Sequence, residues 1–193
     1  DDMATAEDYG DYLLRTEKVD PKEYKDKQYM AKKILNGEDG IERVKGLVSI
    51  IMPSYNTAPF IEETIQSVLN QTYTNWELII VDDCSTDKTD EILQTIIDDR
   101  IRYYKNEVNS GAAVSRNIAL REARGQWIAY LDSDDLWMPD KLEKQIRFME
   151  DNGYAFSYTN YEEIDTQGNK TGITVTGPKK ITKTGMFNYC WPG

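Results

Sequence analysis

The chain reads as an α/β protein built on a mostly parallel sheet flanked by helices. Three observations predict this class. Leu47-Val48-Ser49-Ile50-Ile51-Met52, Trp76-Glu77-Leu78-Ile79-Ile80-Val81 and Ile128-Ala129-Tyr130-Leu131 are apolar runs with little alternation, as strands covered on both faces should be. Between them lie segments whose apolar residues recur at helical spacing. Each run also stops at a polar cluster: Ser54-Tyr55-Asn56, Asp82-Asp83-Cys84-Ser85 and Asp132-Ser133-Asp134-Asp135. Strand and helix alternating in this way imply right-handed crossovers, and such sheets bind ligands beyond the carboxyl ends of their strands. Three clusters far apart in sequence are thereby expected at one edge.

Taken in order, residues 1–46 are polar, tyrosine-rich and dense in both charges, and read as a helical extension. Asp20-Pro21-Lys22-Glu23 combines an N-cap, a proline at N1 and an acid at N3, and Asn36-Gly37 is a stop. A shorter helix is expected from about Thr5 to Lys18. The first strand follows at Leu47, and Pro53 is expected to stop it. Pro59 opens a helix with Glu62 and Glu63 suited to its dipole and Ile61, Ile65, Val68 and Leu69 on its apolar face. After the second strand a helix from about Asp87 turns Ile92, Leu93, Ile96 and Ile97 inward. Ile101 to Tyr104 is a short third strand and Asn106 to Ser110 a loop. Gly111 to Arg124 is a helix of small residues, with Gly125 as its C′ glycine. The strand into the acidic cluster comes next. Pro139 then starts a helix carrying Leu142, Ile146 and Met149, closed by Asn152-Gly153. Beyond it, Tyr154–Tyr158 and Glu162–Asp165 read as short strands. Thr166-Gln167-Gly168-Asn169 is a turn, Ile173-Thr174-Val175 pairs back as a hairpin, and Thr182 to Tyr189 is a short helix.

Composition narrows the functional classes. With 193 residues the chain is long enough for one domain and an appendage. Its formal net charge of −11 argues against general nucleic-acid or anionic-membrane binding. An acidic protein that takes an anionic substrate needs a local cation, which a bound metal would supply. The two cysteines, Cys84 and Cys190, lack metal-ligand spacing and point to a reducing cytosol. The chain has no histidine, which removes histidine-based triads and histidine-held zinc.

The acidic cluster is the most informative stretch. Asp132 and Asp134, at i and i+2 of an extended chain, would point to one side. Two converging carboxylates repel unless a cation lies between them or one is protonated. Mg²⁺ and Mn²⁺ prefer such oxygen ligands, and Mg²⁺ takes one or two carboxylates with phosphates and waters completing its shell. A solvated acidic turn is the other reading of these residues taken alone.

The ordered set of motifs resembles family 2 glycosyltransferases. It runs from Val48-Ser49-Ile50-Ile51-Met52-Pro53-Ser54-Tyr55-Asn56 through Ser67-Val68-Leu69-Asn70-Gln71-Thr72 and Ile80-Val81-Asp82-Asp83-Cys84-Ser85-Thr86-Asp87. Gly111 to Asn117 and Leu131-Asp132-Ser133-Asp134-Asp135 follow. The likeness covers about residues 47–150 and continues more weakly to 193. The hairpin and the Pro192-Gly193 end are most similar to bacterial enzymes of teichuronic acid or capsular polysaccharide assembly.

The resemblance implies a GT-A fold, with a Rossmann-like sheet, and inverting transfer of a sugar from a nucleotide diphosphate, foremost UDP. It implies a glycan or lipid-linked acceptor and a cytoplasmic place of action, with peripheral contact at the inner face of the plasma membrane. By motif, Pro53 and Tyr55 would line the base pocket, Tyr55 stacking on the base and Asp83 accepting a hydrogen bond from it. Asp132-Ser133-Asp134 resembles the DXD motif, in which Asp134 holds Mn²⁺ or Mg²⁺ while Asp132 contacts the ribose or a metal-bound water. Arg116 would lie near the acids or the diphosphate. Asp82 is read as a loop brace, and Asp135 as a partner of the following helix rather than a ligand. The general base of inverting members lies well downstream of DXD, so it is expected beyond residue 193, with residues 47–193 forming the nucleotide-sugar-binding part. A catalytically inactive nucleotide-sugar-binding module is the alternative. A nucleotidyltransferase would need a Gly-rich, basic loop after the first strand, where Pro53 to Asn56 stands.

Overall fold

The structure, a computed structural model, describes residues 42–177, so the helices expected before residue 42 and at 182–189 lie outside the described residues. Residues 41–157 form one compact unit, and the segment from Tyr158 belongs to a second.

The first unit is an all-parallel sheet of β1 (Val44–Ser54), β2 (Trp76–Asp82), β3 (Ile101–Lys105) and β4 (Gly125–Tyr130), in the order β3-β2-β1-β4. Its helices are α1 (Ile61–Leu69), α2 (Thr89–Leu93), α3 (Ala112–Glu122) and α4 (Lys141–Asn152). Alternation along the strands divides the core in two. Val48, Ile50, Met52, Leu78 and Ile80 pack with Ile61, Ile65 and Val68 of α1, Leu93 of α2, and Leu142, Ile146 and Met149 of α4. On the other side Ile51, Ile79 and Val81 meet Ala119 and Ala123, small residues that let α3 lie close. Each fully buried aliphatic side chain contributes about 1.5–3 kcal/mol. The chain steps outward from β1 to β3 and then returns to place β4 beside β1. The switch point therefore falls between β1 and β4, where such sheets bind ligands.

Several boundaries differ from expectation for identifiable reasons. β1 begins at Val44, inside the expected extension, and runs through Pro53 to Ser54. Its backbone groups alternate between neighbours: the carbonyl of Ile51 accepts from Leu131 N on the β4 side, and that of Ser54 from Asp83 N on the β2 side. Pro53 faces β4 just past the last paired residues, Ile51 and Tyr130, so its missing N–H breaks no ladder. The first and last helices start at Ile61 and Lys141, two residues after their prolines. α2 ends at Leu93, and Ile97, expected inside, is 96% exposed because the helical period no longer carries it inward.

Gly125 is not a helix cap. It opens β4, and a Cβ there would stand 2.6 Å from the Leu47 carbonyl oxygen and 2.7 Å from Ser49 N. The glycine answers a close approach of two backbones. Gly153 does close α4 as expected, with φ of 65°.

Glu77 is buried in the middle of the sheet, and nothing in the apolar run around it announces a role. Its Oε1 accepts from Ser49 Oγ at 2.6 Å and Arg124 N at 2.8 Å. Its Oε2 accepts from Arg124 Nε at 2.9 Å, Arg124 Nη2 at 2.7 Å and Arg102 Nη2 at 2.9 Å. The cluster ties β1, β2 and β3 to the α3–β4 junction.

In the second unit β5 (Tyr161–Ile164) and β6 (Lys170–Val175) pair antiparallel, as predicted. Asp165 holds the turn by accepting from Gln167 N and Asn169 N. Tyr154–Tyr158 is not a strand.

Candidate active site

The carboxyl ends of β1 and β2 are joined by side chains that bond to loop backbone. Asn56, with φ of 54°, accepts on Oδ1 from Thr86 N at 2.8 Å, and its own N–H donates to Ser85 Oγ at 2.9 Å. Asp87 accepts from Ala58 N at 3.1 Å, and Thr89 Oγ1 from Thr57 N at 2.9 Å. Asp82 accepts from Ser85 N at 3.1 Å and from its hydroxyl, and so braces the β2–α2 loop. These bonds fix the β1–α1 and β2–α2 loops to one another and hold Tyr55 beside Asp83.

Asp83 reaches in the other direction. Its Oδ1 accepts from Asn106 Nδ2 at 2.7 Å and Ser110 N at 2.9 Å, and its Oδ2 from Gly111 N at 2.6 Å. Burial by itself pushes this carboxyl up, but the bonds from Ser110, Asn106, Gly111 and Ser115 outweigh it and hold Asp83 below its ordinary value. Asn106 and Ser115 carry no local signal as partners of Asp83; only the adjacency of the β2 and β3 ends reveals them.

At the end of β4, Ser133 is buried while Asp132 and Asp134 on either side are exposed, so the two acids share one face. Arg116 of α3 donates from Nη2 to Asp132 Oδ1 at 2.6 Å. The following acid, Asp135, was expected to serve the next helix. It lies too far ahead of Lys141 for that, and Asp140 occupies the N-cap position instead. The Asp135 carboxyl is pushed up, first by burial and then by the charges of Asp134 and Asp132.

Together these residues enclose a cleft of about 420 Å³. Pro53, Tyr55, Asp83, Arg116, Asp132 and Asp134 all line it, joined by Thr57 and Asn109, for which the sequence offered no signal, and by Ala112 of the Gly111–Asn117 motif. Three carboxylates in the lining face a single guanidinium. Among the described residues no group of three or more His, Cys, Asp or Glu could hold a metal ion by itself. The residues do fit an ion shared with a phosphate ligand: Mg²⁺ needs one or two carboxylates in that case, and the exposed Asp132 and Asp134 both line the cleft.

The family model for glycosyl transferase family 2 matches residues 49–192. The chain belongs to that family. Among its relatives is a protein of Bacillus subtilis named as a teichuronic acid biosynthesis glycosyltransferase, TuaG. It is 51% identical over 140 residues, 72% of this chain and 56% of the relative. WfgD of Escherichia coli, named as a UDP-Glc:alpha-D-GlcNAc-diphosphoundecaprenol beta-1,3-glucosyltransferase, is 47% identical over 76% of this chain and 57% of its own length. The chain thus spans little more than half the length of these relatives. Among solved structures, residues 1–349 of Staphylococcus aureus TarS in complex with UDP-GlcNAc superimpose with a TM-score of 0.53 at 32% identity, over 55% of this chain and 32% of that one. The fold of this family 2 chain is of the GT-A type, with its cleft at the switch point of the parallel sheet.

Proposed function

We propose that this family 2 chain binds a nucleotide-diphosphate sugar, with UDP as its nucleotide, for inverting transfer to a cell-surface polysaccharide or lipid-linked glycan. The observation that carries the reading is the convergence of Tyr55, Asp83, Arg116, Asp132 and Asp134 on one cleft from separate strand ends. The UDP-GlcNAc complex of TarS supports the choice of nucleotide, and the name of WfgD supports a lipid-linked acceptor. Such an acceptor places the work in the cytoplasm, at the inner face of the plasma membrane. No described helix is long and apolar enough to cross a membrane.

In this reading residues 47–193 form the nucleotide-sugar-binding domain. Pro53 lines the base pocket and the half-exposed Tyr55 ring stacks on the base. Asp83, kept ionised by its loop partners, lines the cleft and accepts from a base N–H. Asp132 meets the ribose or a metal-bound water, and Asp134 with Asp132 would hold Mn²⁺ or Mg²⁺. When bound, that ion supplies Lewis-acid stabilisation of the departing diphosphate. Arg116, anchored on Asp132, adds a fixed positive charge beside it. None of these residues serves as the base for the acceptor hydroxyl.

Calorimetry with UDP and Mn²⁺ on the wild type and on Asp134→Ala tests the reading. The wild type should bind, and the variant should lose its metal-dependent component. Tight Mn²⁺-dependent binding by the variant would remove Asp134 from the metal site. A nucleotide-sugar-binding module without transfer activity is separated by assaying donor hydrolysis after extending the chain with its native downstream sequence; such a module would still not catalyse it.

A further inference from the structure

Residues 131–140 carry both exposed acids of the cleft and contain no regular secondary structure. Their shape is set from outside, and the contacts come from α1 and the residues just after it. Thr64 Oγ1 donates to the Ser133 carbonyl at 3.1 Å. Ser67 Oγ accepts from Trp137 N at 3.2 Å while donating to the Thr64 carbonyl at 2.7 Å. Gln71 Nε2 donates to the Met138 carbonyl at 2.8 Å, and its Oε1 accepts from Leu142 N at 3.0 Å, in the first turn of α4. Thr72 N donates to the Pro139 carbonyl at 2.9 Å.

Thr64 and Ser67 fall at i and i+3 on one side of α1, and Gln71 follows two residues after that helix ends at Leu69. Thr64 and Gln71 are buried. Burying a hydroxyl or an amide costs free energy unless it is hydrogen-bonded, and α1 already has Ile61, Ile65 and Val68 for packing. The polar stripe is explained by the loop it holds.

We infer that Thr64, Ser67 and Gln71 are positioning residues for the acid-bearing loop, with Thr64 orienting the Ser133 peptide so that Asp132 and Asp134 address one ion. The inference rests on the donor-and-ion reading of the cleft. Ser133 is the hinge between the two carboxylates, so a turn of its peptide moves one relative to the other. A divalent ion with strict geometry feels such a displacement, whereas base stacking some residues away does not.

The test compares Thr64→Val, which keeps the side chain's shape without the hydroxyl, with Thr64→Ser, which keeps the hydroxyl. UDP binding is measured by calorimetry in Mn²⁺ and in EDTA, together with the Mn²⁺ concentration that half-saturates UDP binding. Thr64→Val should raise that concentration about tenfold, the low end for loss of a partner that orients a metal ligand. Its affinity for UDP in EDTA should stay within about twofold of wild type, and Thr64→Ser should restore the metal response. If Thr64→Val does not melt cooperatively, Ser67→Ala is read the same way. Equal losses with and without Mn²⁺, or no loss in either, would overturn the inference. A wild type that binds no UDP in Mn²⁺ would overturn the donor reading, and the inference with it.

Discussion

Glu77 offers the sharpest test of how the sheet supports the cleft. Glu77→Ala removes a carboxylate that accepts five hydrogen bonds from Ser49, Arg102 and Arg124. The losses are unequal. The Arg124 side chain is 59% exposed and can return to water, and Arg102 keeps the Glu122 carbonyl at 2.5 Å. The Ser49 hydroxyl and the Arg124 N–H lose their acceptor outright, at about 1–3 kcal/mol for each unsatisfied buried donor. Breaking a buried ion pair from one side costs about 3–5 kcal/mol, which agrees with that sum. Urea unfolding followed by tryptophan fluorescence should show a midpoint lower by on the order of 2 M. Glu77→Gln keeps the shape but sets an amide NH₂ against guanidinium donors, and should still lose more than about 1.5 kcal/mol.

The same residue predicts a pH dependence. Burial pushes the Glu77 carboxyl up, but hydrogen bonds from Ser49 and Arg124 and the charge of Arg102 outweigh it and leave it below its ordinary 4.5. A carboxyl depressed by folding stabilises the protein fully above its unfolded value and loses that effect as pH falls through the folded one. The gap between wild type and Glu77→Gln should therefore be widest near neutrality and narrow below about pH 4.5. A loss under about 1 kcal/mol at pH 7, or a gap that widens on acidification, would refute the reasoning.

Two further outcomes are expected. Gly125→Ala places a methyl 2.6 Å from the Leu47 carbonyl, so β4 must move off β1, and the melting temperature should fall by an amount equivalent to about 1–3 kcal/mol; an unchanged melt would show that the strands are not so close. Tyr55→Ala should weaken UDP binding by the roughly 1–3 kcal/mol of a base–aromatic stack. Tyr55→Phe should bind like wild type, and a Phe variant as weak as Ala would show that the hydroxyl, not the ring, carries the contact.

Much of the fold was legible because buried parallel strands leave unmistakable apolar runs, and because the order of elements restricts their connections. The loops were legible as polar clusters at strand ends. Errors arose where a residue's meaning depended on a neighbour distant in sequence. Gly125 has the local pattern of a helix stop, but the Leu47 backbone against it makes it a close-approach glycine, and Pro53 has that of a strand end although it stands on the unpaired side of β1. Ile97 fits a helical stripe that in fact ends at Leu93.

By itself the sequence determined the class of fold, the approximate places of its four parallel strands and the shared face of Asp132 and Asp134, because these follow from periodicities of two and about 3.6 along a local chain. Only the tertiary structure decided that β4 lies beside β1, that Arg116 meets Asp132, that Asp83 grips the Asn106–Gly111 loop and that α1 reaches the Ser133 carbonyl. Those are pairings between residues distant in the chain. No local pattern encodes them, since each depends on which faces the collapsed sheet brings into contact.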